Sequence, residues 1–540
     1  MSDSENHKKG CALTIIACLA IVAMTTTGIV LDNPGEVAFN DLVRASIILG
    51  AGSVALASVA FAIGGRWRFL GYGFPVLLFL FFDFRGFFAV ALLTGLKPAI
   101  AQWVGLALGA GFAALLVEVI RRQNQIQVAG FLCIVTIAAA GVSVFSLHGV
   151  LARNATAAET VNAALTKTPE LGSTPAAALP DIIYIVPDRY PSESTIRSVY
   201  GAENLEFLQK LEDRGFHVAK DARSNYPKTF QSLASTFNMA DLSPLTEAMG
   251  PDSANRKPLY HLLENNTVQK TLRKQGYDFV YLGNWWQPAR QNKNANINFY
   301  GSDNFWSKFS ELERALLKKT PLSIAKSQTY MNAQTECDRI KAQLAFLKSA
   351  RADTNKPVFV FAHLTIPHPP IFMNSAGDCL KTPSAMTKGG DWENYKAKFM
   401  DYLRHFNSEV IDIVDASLAV ENGRDVIIAI QSDEGPYPKK LHENPYMDLF
   451  DFTDQELRTK FGIINALYWD EEKYGAPYLT QTPVNNWRII FSTVFGADIG
   501  LIDHERSYVF ENVKRVYNLR DVTERLEHSA EPAVQVAAGQ

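Results

Sequence analysis

A chain of 540 residues exceeds what one ordinary core can serve, so two or more domains are expected. Lys and Arg number 52 against 55 Asp and Glu, for a formal charge of -3, and no basic tract stands out, which excludes a nucleic-acid-binding reading. The 47% hydrophobic content averages two unlike halves: Cys11 to Leu151 is apolar almost throughout, while from Pro180 onward the composition is that of a soluble globular protein.

A hydrocarbon core of about 30 Å needs about 20 apolar residues in helix. Residues 11–31, 42–64, 98–120 and 127–149 meet that need, and 69–96 is a fifth apolar stretch with Asp83 and Arg85 near its middle. Divided in two, that stretch would give helices of about fourteen residues, too short to span. Five crossings are therefore expected. Lys8 and Lys9 precede the first, Arg66 and Arg68 follow the second, and Arg121 and Arg122 follow the fourth. The alternate loop, around Asp32 to Asp41, has no Lys or Arg, and the third helix is followed only by Lys97. The basic clusters share one side, which is the cytoplasm, and an odd number of crossings exports everything after Leu151. The expected location is thus an inner or plasma membrane, multi-pass, with the second half periplasmic or extracellular. The first helix does not read as a cleaved signal peptide, because four more spans follow it. Asp83 and Arg85 are either a functional intramembrane pair or a hairpin tip or interface anchor. The expected domains are a helical bundle over 1–151, a linker rich in Ala, Thr and Pro over 152–179, and a globular domain over 180–540.

In the second half, Asp181–Val186, Phe279–Leu282, Val358–His363, Asp425–Gln431 and Phe461–Tyr468 read as buried parallel strands. Helical stretches such as Glu203–Arg214 and Thr335–Ala350 separate them, so the expected fold class is α/β, a sheet covered by helices on both faces. Ligand groups in such folds gather at the carboxyl ends of strands. DIIYIV runs there into Pro187-Asp188, DVIIAIQ into Ser432-Asp433-Glu434-Gly435, and VFVFAH toward His368. Carboxylates from two strand ends, read as unpaired with a nearby Lys or Arg, suit a hard divalent cation, although a lone strand-end Asp often only caps a helix. No CxxC, HExxH, Walker A or GxSxG motif occurs. Cys337 and Cys379 are the two cysteines of this half, and outside a reducing cytosol they would form one disulfide; otherwise they are two unrelated buried thiols.

The motifs DIIYIVPDRY, SNYPKTFQSLASTFNM, VFVFAHLTIPHPP, IQSDEGP and FGIINALY followed by TPVNNWRIIFSTVFG occur in an order and spacing that resembles the alkaline phosphatase superfamily. Within it the chain is similar to membrane-bound sulfatase-like proteins such as lipoteichoic acid synthases and phosphoethanolamine transferases. The resemblance covers about 180–525, and the five-helix anchor is also similar to that of the transferases. It implies a nucleophilic hydroxyl at a helix start, bound to one divalent metal ion held by strand-end carboxylates, and Thr229 takes that place. A metal lowers a hydroxyl's pKa, and a helix N-terminus favours a phosphoryl anion. Taken alone, Thr229 would equally N-cap the helix after it. Asp188 and Asp433 match metal carboxylates. Glu434 stands where the family has histidine, which would make the site harder and shift the metal toward Mn, Mg or Ca over Zn. His368, and less directly His363, matches a histidine that contacts the substrate phosphate or the metal, with a packed histidine as the plain alternative. Trp286 and Arg290, in a GNWWQPAR stretch similar to a substrate-binding segment of lipoteichoic acid synthases, and Lys228 complete the expected substrate-binding set. The Cys/Ser-X-Pro-X-Arg motif of sulfatases is absent from NYPKTFQS, which argues against sulfuric-ester hydrolysis.

The function these readings imply is transfer of a phospho-head group, of phosphoglycerol or phosphoethanolamine type, from a phospholipid donor to an envelope glycan or lipid acceptor through a threonine intermediate. The alternatives are a phosphodiesterase, phosphatase or sulfuric-ester hydrolase on the same fold, and a non-catalytic envelope assembly protein suggested by the change at Glu434.

Overall fold

The computed structural model describes residues 3–33, 37, 39–63, 67–165, 169–171, 179–302, 309–326, 333–352, 354–386 and 388–527. The chain forms two compact units, one of 1–155 with 304–331 and one of 156–303 with 332–540.

The first unit contains α1 (Asp3–Asp32), α2 (Phe39–Ala62), α3 (Phe69–Phe82), α4 (Phe84–Leu92) and α5 (Pro98–Arg122), and it takes in most of α6 (Gln125–Leu165). Among the described residues, four helices are long and apolar enough to cross a membrane, or five if the α3–α4 pair is one broken span. That pair corrects the expectation of a single helix over 69–96, because the two pieces meet at Asp83 with a bend of 52°. Aspartate competes with the backbone for hydrogen bonds, and Asp83 leaves the helical region at φ -104°, ψ 20°. The expected linker at 152–179 is also corrected over its first part. The run from Ala152 to Leu165 holds neither Gly nor Pro and is rich in alanine, so α6 simply continues through it. Residues 166–168 and 172–178 of that segment, and the basic Arg66, lie outside the described residues.

Residues 304–331 join this unit although they lie far along the sequence, which the expected 180–540 domain did not anticipate. The helix Glu311–Lys319 opens on a capping box between Ser310 and Glu313. It buries Leu312 and Leu316 against Ile29, Val30, Leu42, Ala45 and Leu147. Arg44 donates to both carboxylate oxygens of Glu313, at 2.8 and 2.5 Å.

The second unit is built on a seven-stranded sheet. Its strands are β1 (Asp181–Pro187), β2 (His217–Val218), β3 (Asp278–Leu282), β4 (Ile297–Phe299), β5 (Val358–Leu364), β6 (Val426–Gln431) and β7 (Asn465–Tyr468), in the order β2-β7-β6-β1-β5-β3-β4. Strand β1 pairs in parallel with both β5 and β6. β7 runs antiparallel to β6, which corrects the all-parallel expectation, and it starts at Asn465 because the preceding residues close the helix Asp454–Phe461. Every residue of β1, β5 and β6 is buried, and successive residues serve opposite faces. Ile183, Ile185, Val360 and Ile428 pack with Phe399 and Phe406 of the helix Trp392–Leu418. Ile182, Tyr184, Phe359 and Ile427 pack with Phe237 and Trp487, and the Tyr184 and Trp487 rings stack with centroids 5.2 Å apart. The disulfide Cys337–Cys379 ties the helix Ala333–Ser349 to the strand Cys379–Ser384.

Asp181 locks the start of the central strands. Its buried carboxylate accepts from the Val358 amide at 3.0 Å, Arg351 Nε at 2.9 Å and Arg424 Nε at 3.0 Å. Removing one partner of a buried ion pair leaves an uncompensated charge. Asp181→Ala is therefore expected to cost about 3–5 kcal/mol and to lower the melting temperature of the full-length protein by roughly 5–10 °C, as measured by differential scanning fluorimetry; an unchanged transition would exclude this role.

Candidate functional site

The carboxyl ends of β1, β5 and β6 converge on a polar site. Asp188 follows β1 directly, His363 is the penultimate residue of β5, and Asp433 lies two residues beyond β6. All three are buried. One ligand atom from each lies within 4.8 Å of the others, a group able to hold a metal ion. His363 Nε2 is 3.6 Å from Asp188 Oδ2 and 3.8 Å from Asp433 Oδ2, too far for good hydrogen bonds. Asp188 Oδ1, His363 Nε2 and Asp433 Oδ2 are buried atoms without a hydrogen-bond partner. Buried polar atoms are normally satisfied, so three orphans aimed together fit a cation. The other ring nitrogen of His363 meets Asn284 Nδ2 at 2.9 Å, and the Trp286 amide donates to Asn284 Oδ1 at 2.9 Å, which fixes the imidazole's orientation.

Charge in this group is unevenly balanced. Burial raises the Asp433 carboxyl to a pKa of about 7, and the nearby Asp188 charge adds to the rise. Burial also works against the Asp188 anion, but the surrounding imidazoles and Arg189 outweigh it and hold its carboxyl well below the usual range.

Thr229 is the first residue of α7 (Thr229–Asn238), and Lys228 is the N-cap residue, with no side chain capping the helix. The simple capping role for Thr229 is therefore not what forms. Its hydroxyl instead lies beside Asp433 and favours that carboxylate. The uncapped first turn of α7 and the positive end of its dipole remain available to an anion. The preceding loop is anchored through Asn225, which donates to Thr482 Oγ1 at 3.0 Å and to the Arg506 carbonyl at 2.9 Å.

Glu434 stands beside the Asp–His–Asp group. Neither it nor Asp188 emerges into a site free of basic residues, and Glu434 is not in the Asp–His–Asp group. Its carboxylate is paired with Arg189 Nε and Lys460 Nζ, each at 3.0 Å. Burial opposes the Glu434 anion, but Lys460, Lys228 and Arg189 outweigh it and lower its pKa. Arg189 adopts a left-handed backbone, φ 64°, immediately after Asp188, a conformation uncommon for a non-glycine residue. Its amide also donates to Asp433 Oδ1 at 3.3 Å, and its guanidinium lies 3.5 Å above the Tyr437 ring. Gly435 allows this arrangement, because a Cβ there would sit 2.4 Å from the Thr459 carbonyl oxygen. Both Glu434 ion pairs use Oε1, and Oε2 is a buried oxygen without a hydrogen-bond partner. Arg189, Lys460 and Tyr437 escaped sequence reading; Arg189 adjoins Asp188 in the motif DIIYIVPDRY, and Lys460 directly precedes the FGIINALY run.

A pocket of about 160 Å³ opens beside Thr229 and Asp188, lined by Lys228, Trp286 and His368 among others. Lys228 Nζ donates to the Tyr437 hydroxyl, and burial lowers its pKa to about 8. Burial, then Arg189, lowers His368 to about 4. Arg290 is the expected substrate residue that does not line this pocket: its guanidinium lies 4.6 Å from the Tyr300 ring centroid. Trp285 lines it, 6.4 Å from His368 ring to ring.

No protein-family model and no curated protein matches the chain. Among solved structures, the zinc complex of the C-terminal periplasmic domain of EcEptC from Escherichia coli matches with 12% identity and a TM-score of 0.44, over 67% of this chain and 99% of that one. The integral membrane lipooligosaccharide phosphoethanolamine transferase EptA from Neisseria meningitidis matches with 13% identity and a TM-score of 0.38, over 91% and 95%. The C-terminal periplasmic domain of phosphoethanolamine transferase EptC from Campylobacter jejuni matches with 11% identity and a TM-score of 0.38, over 63% and 94%.

Two outcomes test the site. Adding Zn²⁺ or Mn²⁺ to metal-stripped protein should raise its melting temperature, and Asp188→Asn or Asp433→Asn should remove that rise while Glu434→Gln, although less stable, retains it. Because a ligand must be deprotonated and Asp433 holds its proton up to a pH of about 7, metal affinity measured by calorimetry should fall as pH drops below that value.

Proposed function

We propose that the chain is a membrane-anchored, metal-dependent phosphotransferase that moves a phospho-head group from a phospholipid to a hydroxyl of an envelope glycan or lipid through Thr229. The observation that carries this reading is the place of Thr229, at the start of α7 and beside Asp433 of the Asp–His–Asp group. Thr229 Oγ attacks the phosphorus, its proton passing to Asp433. The Oγ–P bond forms as the bond from phosphorus to the diacylglycerol oxygen breaks, and that oxygen leaves with a proton from solvent. An acceptor hydroxyl then attacks the phosphothreonine diester, its O–P bond forming as the Thr229 Oγ–P bond breaks; the acceptor's proton passes to solvent and Thr229 takes its proton back from Asp433. Arg189 and Lys228 line the pocket and stabilise the charge on the phosphoryl oxygens. A divalent ion held by Asp188, His363, Asp433 and Thr229 would supply Lewis-acid charge that lowers the hydroxyl's pKa. One imidazole with two carboxylates suits zinc or manganese.

Anchoring follows from the apolar helices, since donor and diacylglycerol both reside in the bilayer. The basic residues favour α3–α4 as one broken span. A re-entrant pair would put Arg121 and Arg122 opposite Lys8 and Lys9, and the Cys337–Cys379 disulfide in a reducing compartment. This supports an extracytoplasmic α/β unit.

Thr229→Ala should abolish turnover while leaving the melting transition within about 1 kcal/mol of the parent. Intact-mass analysis after incubation with phospholipid should find the head-group phosphate increment on the Thr229 peptide. Full activity of the variant would exclude the mechanism, and free phosphorylated head group without an acceptor adduct would make the protein a phosphodiesterase.

A further inference from the structure

The helix Ala333–Ser349 carries a buried polar line that leads to the His363 imidazole. Glu336, Arg339 and Gln343 follow one another at spacings of three and four, so they share one face of the helix. Arg339 and Gln343 are fully buried. Arg339 donates from Nε to Glu336 Oε2 at 2.9 Å, from Nη1 to Gln343 Oε1 at 2.9 Å and from Nη2 to Thr365 Oγ1 at 2.7 Å. With Oε1 engaged by the guanidinium, the Gln343 amide nitrogen faces the other way. It donates to the Gly283 carbonyl at 2.5 Å and to the Tyr300 carbonyl at 3.3 Å. A buried guanidinium with one carboxylate partner contributes little stability beyond what apolar packing of the same volume would give. What it supplies is direction, because its planar fork holds several acceptors in fixed relative positions.

Two of those acceptors adjoin the metal group. Thr365 stands two residues after His363, and the Leu364 carbonyl between them accepts from the Asp188 amide at 2.9 Å. Gly283 opens a tight loop in which the Asn284 amide donates to the Ala289 carbonyl at 3.0 Å. A Cβ on residue 283 would sit 1.8 Å from the Arg290 carbonyl oxygen. The next residue, Asn284, is the one that meets the His363 ring at 2.9 Å. We propose that Arg339 and Gln343, neither of which lines the pocket, are positioning residues: they fix the loops after β3 and β5 so that Asn284 aims the His363 imidazole at Asp188 and Asp433. This rests on the metal group in the reading above and not on what is transferred. Orientation of a ligating imidazole by its outer partners is worth roughly 10- to 100-fold in metal affinity.

The test is Zn²⁺ titration calorimetry of the metal-stripped full-length protein, without substrate, for Gln343→Glu, Arg339→Lys, Asn284→Ala and the double variant of Gln343→Glu with Asn284→Ala. Glutamate at 343 keeps an acceptor for Arg339 but presents no N–H to Gly283, and lysine at 339 keeps the charge but not the fork. Each single variant should weaken Zn²⁺ binding by roughly 10-fold or more. Because Gln343 acts through Asn284, the double variant should bind Zn²⁺ no more weakly than Asn284→Ala alone. A glutamine or arginine that only stabilises the fold would lower the melting temperature and leave Zn²⁺ affinity unchanged, and independent effects would multiply in the double variant; either result overturns the proposal. If Gln343→Glu does not fold, Gln343→Met carries the same cycle. No Zn²⁺ binding by the parent protein would overturn the metal group itself, and this inference with it.

Discussion

Three carboxylates are buried side by side at the ends of adjacent strands, and the chain's own cations neutralise only one of them. Glu434 pairs through Oε1 with Arg189 and Lys460, Asp188 and Asp433 share one imidazole, and each of the three keeps an unpartnered oxygen. Burial first, and the adjacent Asp188 charge second, raise the Asp433 carboxyl, while imidazoles and Arg189 keep Asp188 an anion. The site is therefore short of positive charge at one point, and Thr229 lies beside it. The rest of the α/β unit serves that geometry: parallel β1, β5 and β6 bring three chain segments together, and Asp181 at the opposite end keeps their starts aligned.

The division of labour among the acids separates two kinds of chemistry within a few ångströms. The Asp–His–Asp group is suited to a cation, while the Arg189, Lys228 and Arg256 wall is suited to an anion, with Glu434 as the counter-charge that holds Arg189 over Tyr437. A carboxylate in a metal's coordination sphere and a carboxylate clamping a guanidinium look alike in sequence. They differ in what lies across the fold, here Lys460 from the approach to β7.

That difference explains what was legible and what was not. Fully buried strands announce themselves as apolar, β-branched runs, so β1, β3, β5 and β6 were readable within a residue or so, and Asp188 and Asp433 with them, just beyond β1 and β6. The edge strands β2 and β4 have two and three residues, too short for any periodicity to appear. Direction is also invisible in composition, so β7 gave no hint of running antiparallel. The Glu434 ion pairs join residues 245 and 26 positions apart, and no local pattern specifies such pairings. In the other unit the apolar stretches were plain, but the break at Asp83 turns on one residue, and the Ala-rich extension of α6 looks like a linker by composition while its propensity is helical.

The segment 304–331 has a practical bearing on handling the protein. The chain leaves the α/β unit at Asp303, contributes Leu312 and Leu316 to the apolar packing of the helical unit, and re-enters the α/β unit at Asn332. A shortened protein beginning near Pro180 would keep the helix Glu311–Lys319 but lose Ile29, Val30, Leu42, Ala45 and Arg44, its packing and ion-pair partners. Two leucines and an unpaired glutamate would then face water on a tethered amphipathic helix, a ready nucleus for self-association. Replacing that segment with a short Gly/Ser bridge is the rational route to a well-behaved secreted fragment.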